Sequence, residues 1–292
     1  MHNKRASLGK IMMSVMVFSF LAGMLALPAR SSQVLWTEPE YYETIQTGDI
    51  DGDGAAELLV RSSLGLFTYR FNTGGQVWEP VYPGDLAMSD SAGWTEPQYY
   101  ETIQTADIDG DGAAELLVRG ANGLLTYRFK RQWSVYLPVI LSGHSPVSTQ
   151  SQLQSLDAAY SQTPERWELV PASGLGMGND EGWDLPEHYS AIQTGDIDGD
   201  GAAELLARYG DGLHAFRFNT DSQDWDDVPA SPLGMGNAEG WDQAEHYSTI
   251  QTGDIDGDGA AELLERYGDG LHVFRFNTGS QDWDDVPESR HG

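Results

Sequence analysis

In the stretch "LHAFRFN", His214, Phe216 and Phe218 alternate with Leu213, Ala215 and Arg217. A period of two predicts a strand with two distinct faces. Just before it, "AELLARY" predicts a second strand, and Asp211-Gly212 between the two is a tight-turn signal. Upstream, "EHYSAIQTGDI" predicts a first strand that runs into an acidic loop. Downstream, "TDSQ" predicts a turn into a short fourth strand, "DWDDV". No stretch of the unit shows helical periodicity.

The unit recurs. Its acidic loop, "GDIDGDGAAELL" in most copies, has its first Asp at Asp49, Asp107, Asp196 and Asp254, so the spacings are 58, 89 and 58. Trp36 and Trp94 keep the period, as do Trp183 and Trp241. Four short antiparallel strands repeated at such a spacing predict an all-β chain: a β-propeller-like array of four four-stranded blades. The middle spacing holds 31 extra residues. Trp78 and Trp225 each lie 42 residues after the Trp that opens their unit, and "ERWELVPASGLGMG" matches "QDWDDVPASPLGMG". The match predicts that Trp167 belongs to the fourth strand of unit 2, with a polar, Ser/Gln-rich flexible insertion over residues 131–163, Arg131 to Thr163. The alternative is that "RQWSVYLPV" supplies that strand. The expected organisation is therefore residues 30–130 for blade 1 and three strands of blade 2, then the insertion. Residues 164–292 complete blade 2 and form blades 3 and 4.

The loop carries the chemistry. Counting its first Asp as one, carboxylates stand at positions one, three, five and nine. Gly at six permits a sharp turn, and Ala at seven can offer its carbonyl. These are Asp49, Asp51, Asp53, Ala55 and Glu57, then Asp107, Asp109, Asp111, Ala113 and Glu115. The third and fourth sets are Asp196, Asp198, Asp200, Ala202 and Glu204, and Asp254, Asp256, Asp258, Ala260 and Glu262. Carboxylates about 4 Å apart near a surface repel by roughly 1–4 kcal/mol per pair. A divalent cation converts that repulsion into binding. Hard oxygen donors in a flexible loop suit calcium better than magnesium, zinc or copper, so about four calcium ions are expected. Position twelve is Val60, Val118, Ala207 or Glu265, and the flanks are strands, which excludes a helix-loop-helix calcium site.

"DIDGDGAAELL", flanked by strands and repeated, resembles the FG-GAP/VCBS repeat family, which includes calcium-loop blades of integrin alpha-subunit propellers and of certain fungal lectins. The resemblance implies a β-propeller with calcium held between the first two strands of a blade, and a role in adhesion or ligand binding. Two departures stand out. The ninth loop position is usually Asp in the family and is Glu here, and well-known members close with seven blades where this chain shows four units.

Charge narrows the partners. Lys plus Arg number 16 against 45 Asp plus Glu, a net charge of −29. This excludes nucleic acid and anionic membrane as expected partners, because phosphates are repelled. A basic start, the apolar run "IMMSVMVFSFLAGMLAL" and "PARSS" read as a signal peptide over residues 1–29. Secretion is expected, with no membrane contact after cleavage. The alternative is an uncleaved anchor at the cell surface. The chain has no Cys, so no disulfide supports it outside the cell.

Other recurrent residues have plainer roles. Arg61, Arg119, Arg208 and Arg266, and Arg70, Arg128, Arg217 and Arg275, are expected to pair with neighbouring carboxylates. The recurrent Trp residues are expected to pack between blades. His188, His246, His214 and His272 fall at ordinary unit positions. No nucleophile constellation, phosphate loop or zinc motif is present, so an enzyme is not expected. The expected function is a secreted binding or adhesion module for a glycan or a surface protein; the alternatives are a purely structural calcium-stabilised repeat and, last in order, a propeller-based hydrolase or lyase. Four units either close alone or meet a second chain, as a homodimer completing a larger ring.

Overall fold

The computed structural model describes residues 38–81, 86–130, 165–171, 175–228, 233–268 and 270–286. The expected signal peptide, Trp36 and the Arg131 to Thr163 insertion lie outside the described residues. Within them the chain forms four antiparallel four-stranded sheets, each with its strands in sequence order. Sheet 1 is β1 (Gln46–Gly48), β2 (Glu57–Ser62), β3 (Gly65–Asn72) and β4 (Val77–Pro80). Sheet 2 is β5 (Gln104–Ala106), β6 (Glu115–Gly120), β7 (Gly123–Lys130) and β8 (Arg166–Leu169). Sheet 3 is β9 (Gln193–Gly195), β10 (Glu204–Tyr209), β11 (Gly212–Asn219) and β12 (Asp224–Asp227). Sheet 4 is β13 (Gln251–Gly253), β14 (Glu262–Tyr267), β15 (Gly270–Asn277) and β16 (Asp282–Asp285). In sheet 2 Trp167 of β8 stands opposite Phe129 of β7, as Trp78 stands opposite Phe71 and Trp225 opposite Phe218.

The first strand of each unit is shorter than expected. "EHYSAIQTGDI" is not one strand: a single helical turn comes first, then a three-residue strand. The turns are α1 (Pro39–Tyr42), α2 (Pro97–Tyr100), α3 (Pro186–Tyr189) and α4 (Ala244–Tyr247). Proline opens three of them, where its fixed φ suits a helix start and its missing N–H costs nothing. Threonine closes three: Thr44, Thr102 and Thr249 donate their hydroxyls to the carbonyls of Tyr41, Tyr99 and His246. One turn is too short to leave a 3.6-residue pattern in the sequence.

Because strand side chains alternate, each sheet has a front face toward the preceding sheet and a rear face toward the following one. Between sheets 1 and 2, Ile50, Leu59, Leu66 and Met88 meet Leu116, Val118, Phe129 and Trp167. The same positions meet between sheets 2 and 3, where Ile108 and Leu117 face Leu205, Phe218 and Trp225. Between sheets 3 and 4, Ile197, Leu206 and Leu213 face Leu263 and Phe276. Full burial of each such side chain stabilises by roughly 1.5–3 kcal/mol, so these junctions dominate the fold's stability.

Arginines pin the segments between sheets. Arg61 is fully buried on β2; it donates to the carbonyls of Met88 and Glu40 and to the Asp90 carboxylate at 2.6 Å. Arg119 and Arg208 make the same two backbone contacts, to Met177 and Gln98 and to Met235 and Glu187. Their third partners correct the expectation of ion pairing, since they are the side-chain amides of Asn179 and Asn237. The inner ends of the sheets touch directly. A Cβ on Gly48 would lie 3.0 Å from Thr105 Cβ and 3.3 Å from Ala114 Cβ. One on Gly195 would lie 3.1 Å from both Thr252 Cβ and Ala261 Cβ.

Two predictions follow from this packing. Gly48→Ala should destabilise by about 1–3 kcal/mol through overpacking, whereas Gly234→Ala, with nothing within 4 Å of the new methyl, should stay within ~0.5 kcal/mol. Denaturant unfolding measures both. Arg208→Ala should cost on the order of 1–3 kcal/mol for each buried acceptor it strands. Arg266→Ala, at an exposed site, should be near neutral in the same assay.

Candidate metal centres

Each acidic loop joins the first strand of a sheet to its second. The first Asp organises it. Asp49 Oδ1 accepts from the Asp53 N–H at 3.1 Å and Oδ2 from the Gly54 N–H at 2.7 Å. Asp107, Asp196 and Asp254 likewise accept from Gly112, Gly201 and Gly259. Gly54 has φ +87°, a left-handed conformation that a side chain would strain, and so the loop turns at glycine. The third Asp caps the residue two positions on: Asp53, Asp111, Asp200 and Asp258 accept from Ala55, Ala113, Ala202 and Ala260 at 2.9–3.0 Å.

The folding of the loops brings carboxylates together. Oxygens of Asp49, Asp51 and Asp53 lie within 4.8 Å of one another. So do those of Asp107, Asp109 and Glu115, of Asp196, Asp198 and Glu204, and of Asp254, Asp256 and Glu262. The donors are all hard oxygens in a mostly exposed loop, and they fit a divalent cation of the calcium class.

The ninth-position Glu is already partnered, and by a residue the sequence did not assign to it. Glu57 is buried; its Oε2 accepts from the Ile50 N–H at 3.3 Å and its Oε1 from Arg70 Nε at 2.9 Å. The same guanidinium also bonds Asp51. Arg128 bridges Asp109 and Glu115, Arg217 bridges Asp198 and Glu204, and Arg275 bridges Asp256 and Glu262. These arginines do pair with carboxylates, as expected, but the carboxylates are the loop's own. Each loop thus holds one cation of the chain against four acids. The signal was present in the sequence, because in every unit an Arg follows the Glu by 13 residues.

That cation does not compensate fully. Burial pushes Glu115 and Glu204 up to about 7, helped by Asp109 and Asp198 and opposed by the hydrogen bonds from Arg128 and Arg217. Burial also raises Glu57, Asp107 and Asp198. Negative charge is in excess in these loops.

Successive loops are also bonded to each other. Ala114 N–H donates to the Asp49 carbonyl at 2.7 Å, Ala203 to Asp107 at 2.7 Å and Ala261 to Asp196 at 2.5 Å. The loops therefore form one row along the array. The other candidates lie elsewhere. His188 Nδ1 contacts the Gly182 carbonyl at 3.0 Å and its ring packs beside Trp183. Trp183 and Trp241 are buried in the inter-sheet cores, as packing residues are.

A recurring strand–acidic loop–strand unit decides the family comparison. Residues 49–118 match the FG-GAP-like repeat. The matched stretch runs from Asp49 through sheet 1 and includes the second loop, so one FG-GAP-like repeat spans the two candidate centres on either side of the first junction. No match is found among curated proteins. Among solved structures, the chain is similar to an Agrocybe aegerita lectin described as recognising non-reducing terminal N-acetylglucosamine. The identity is 18% and the TM-score 0.53, over 83% of this chain and 51% of the lectin chain. The chain is also similar to the Tc holotoxin pore of Photorhabdus luminescens, with 15% identity and a TM-score of 0.40 over 91% of this chain and 10% of that one. This chain thus spans about half the length of the lectin and a tenth of the toxin chain.

The raised glutamates fix a pH response. Their folded pKa of about 7 exceeds the ordinary value of 4.5. Between these values the folded chain holds protons that the unfolded chain releases, so stability falls as pH rises. In chelator, the melting temperature should therefore drop from pH 5 to pH 7, by an amount set by on the order of 1 kcal/mol per group. Added calcium should remove that drop, because it stabilises the ionised form. Melting curves at the two pH values, with and without calcium, measure both effects.

Proposed function

We propose that this chain is a calcium-stabilised binding module, exported from the cell, whose ligand is a glycan or a surface protein. The observation that carries it is the row of four acidic loops, each with its carboxylates drawn to within 4.8 Å of one another. FG-GAP repeats commonly bind calcium, and residues 49–118 match that repeat. In each loop the Asp residues at positions one and three would hold the ion with the carbonyl at seven, joined by Asp53 in the first loop and by the ninth-position Glu in the other three. That Glu would also orient the loop through Arg and the backbone. The ion supplies positive charge where the excess of carboxylates is greatest.

The binding role is supported by the likeness in fold to a lectin that recognises terminal N-acetylglucosamine. A propeller-like arrangement presents loops and sheet ends to a ligand, and an acidic surface suits a neutral sugar or a basic protein patch better than a phosphate. The role is binding rather than catalysis. Among the described residues no helix is long and apolar enough to cross a membrane. A purely structural use of calcium is the second reading. It is favoured by the arginine bridges, which already tie each loop to its own third strand.

Calorimetry on calcium-stripped protein should show about four sites, with affinities near the ~10⁻⁴–10⁻³ M of extracellular modules. Asp198→Ala, which removes one of the three grouped carboxylates of the third loop, should lower the stoichiometry by one while leaving the other loops intact. Absence of binding at several millimolar calcium would sink the metal assignment. A glycan array in calcium buffer, including N-acetylglucosamine-terminated chains, then separates the two readings. Retention of a sugar class supports the binding module, and silence across the array with normal calcium binding favours the structural one.

A further inference from the structure

Among the described residues, the two ends of the array carry opposite halves of the inter-sheet interface. Each junction sets the rear face of one sheet on the front face of the next, with the same positions used every time. On sheet 4 the rear-face positions are Ile255 and Leu271, each 55% exposed, whereas Ile50, Ile108, Ile197, Leu66 and Leu213 are 0–2% exposed. On sheet 1 the front-face Phe71 is 38% exposed, whereas Phe129, Phe218 and Phe276 are 4–5%. Among the described residues no sheet covers either outer face: Ile255, Leu271 and Phe71 stay exposed, while Leu58 and Val60 beside Phe71 on sheet 1 are buried.

The inner edge shows the same two halves. The slots beside Gly48 and Gly195 are filled by Ala114 and Ala261, with Cβ separations of 3.3 and 3.1 Å. Beside Gly253 there is nothing within 4 Å, and Ala56, the counterpart of Ala114 and Ala261, is exposed. The Ala56 N–H corresponds to the donors that reach the preceding Asp carbonyl at the three junctions, and the Asp254 carbonyl to the acceptors. Arg266 is exposed where Arg61, Arg119 and Arg208 are fully buried.

We propose that the rear face of sheet 4 docks onto the front face of sheet 1 of a second copy of this chain, head to tail. The occupant is identified by continuity with an established interface. The face that covers Ile50, Ile108 and Ile197 is in each case a front face, and among the described residues the front face that no other sheet covers belongs to sheet 1. Such a contact joins two different surfaces, so it repeats from copy to copy and closes into a ring when the rotation allows. Each copy carries a net charge of −29, so the apolar contact forms against repulsion and is favoured by salt. The proposal is independent of what the acidic loops hold.

The chain has no cysteine, so an introduced pair reports without background. At the three junctions a Cβ on Gly52, Gly110 or Gly199 lies 3.5 Å from the Cβ of Ala113, Ala202 or Ala260, within disulfide reach. The counterparts Gly257→Cys and Ala55→Cys are placed in separate full-length chains, mixed at about 0.15 M salt, where the Debye length is ~8 Å, and oxidised. The expected product is a disulfide-linked pair of the two different chains, at twice 32.0 kDa. It should be lost when Leu271→Asp is added to the Gly257→Cys chain, whose circular-dichroism spectrum should not change because Leu271 is exposed within the single chain. The unmodified chain should have a solution mass that is a multiple of 32.0 kDa. A monomeric mass at tens of micromolar overturns the proposal. So does an internal disulfide in a monomer carrying both substitutions, which would mean that the two ends of one chain close on each other.

Discussion

The requirement that one sheet cover the next governs this molecule. A four-stranded sheet whose two faces both carry Leu, Ile, Phe and Trp cannot be stable alone, because neither face is satisfied by water. Sheets 1 to 4 solve this in series, rear face on front face, with Ile50, Ile108 and Ile197 at corresponding places in three successive cores. The rest follows from that stacking. Arg61, Arg119 and Arg208 are buried because the segment leading to the next sheet must cross over them. The acidic loops fall into a row because they all leave the same end of equivalent strands. The row is then held in register by one backbone hydrogen bond per junction.

The row poses an electrostatic problem that the chain solves only in part. One arginine per loop reaches back from the third strand and grips an Asp and the buried Glu. This fixes the loop's shape without neutralising it. A longer side chain at the ninth position explains how: Glu57 extends under the loop to the Ile50 N–H and to Arg70, which also holds the buried Asp51 side chain. The Asp-to-Glu departure from the usual repeat thus changes what the residue touches.

Much of this was legible in the sequence, for definite reasons. Strand alternation in "LHAFRFN" told its two faces apart, since period two survives any packing partner. The spacing of Asp49, Asp51 and Asp53 with Gly54 reported a local turn, which depends on neighbours in the chain alone. The single helical turns were hidden, because four residues such as Pro186–Tyr189 carry no period. The two arginine sets looked alike in sequence and differ in space. Arg70 points into its own loop, while Arg119 is sealed under a segment some sixty residues away. That distinction is tertiary, and no local pattern encodes it. The match at Trp167 placed the fourth strand of sheet 2 because the motif around it is long; the residues expected as the insertion lie outside the described structure.

One difference among the near-identical units sets their order. At the first and third junctions a glycine, Gly48 or Gly195, lets the next sheet's threonine, Thr105 or Thr252, donate to the carbonyl of Thr47 or Thr194. At the middle junction the glycine position holds Ala106. There Thr194 donates instead to the Gln104 side chain, which in turn donates to the Ile192 carbonyl. A methyl group in the first or third slot would collide with its neighbour, so the second unit cannot stand where the first or third stands. Tandem units this similar are prone to pair with the wrong neighbour as they fold. Ala106 sets the second unit apart from the other three, a label of a single methyl that tells the middle seam from the first and third.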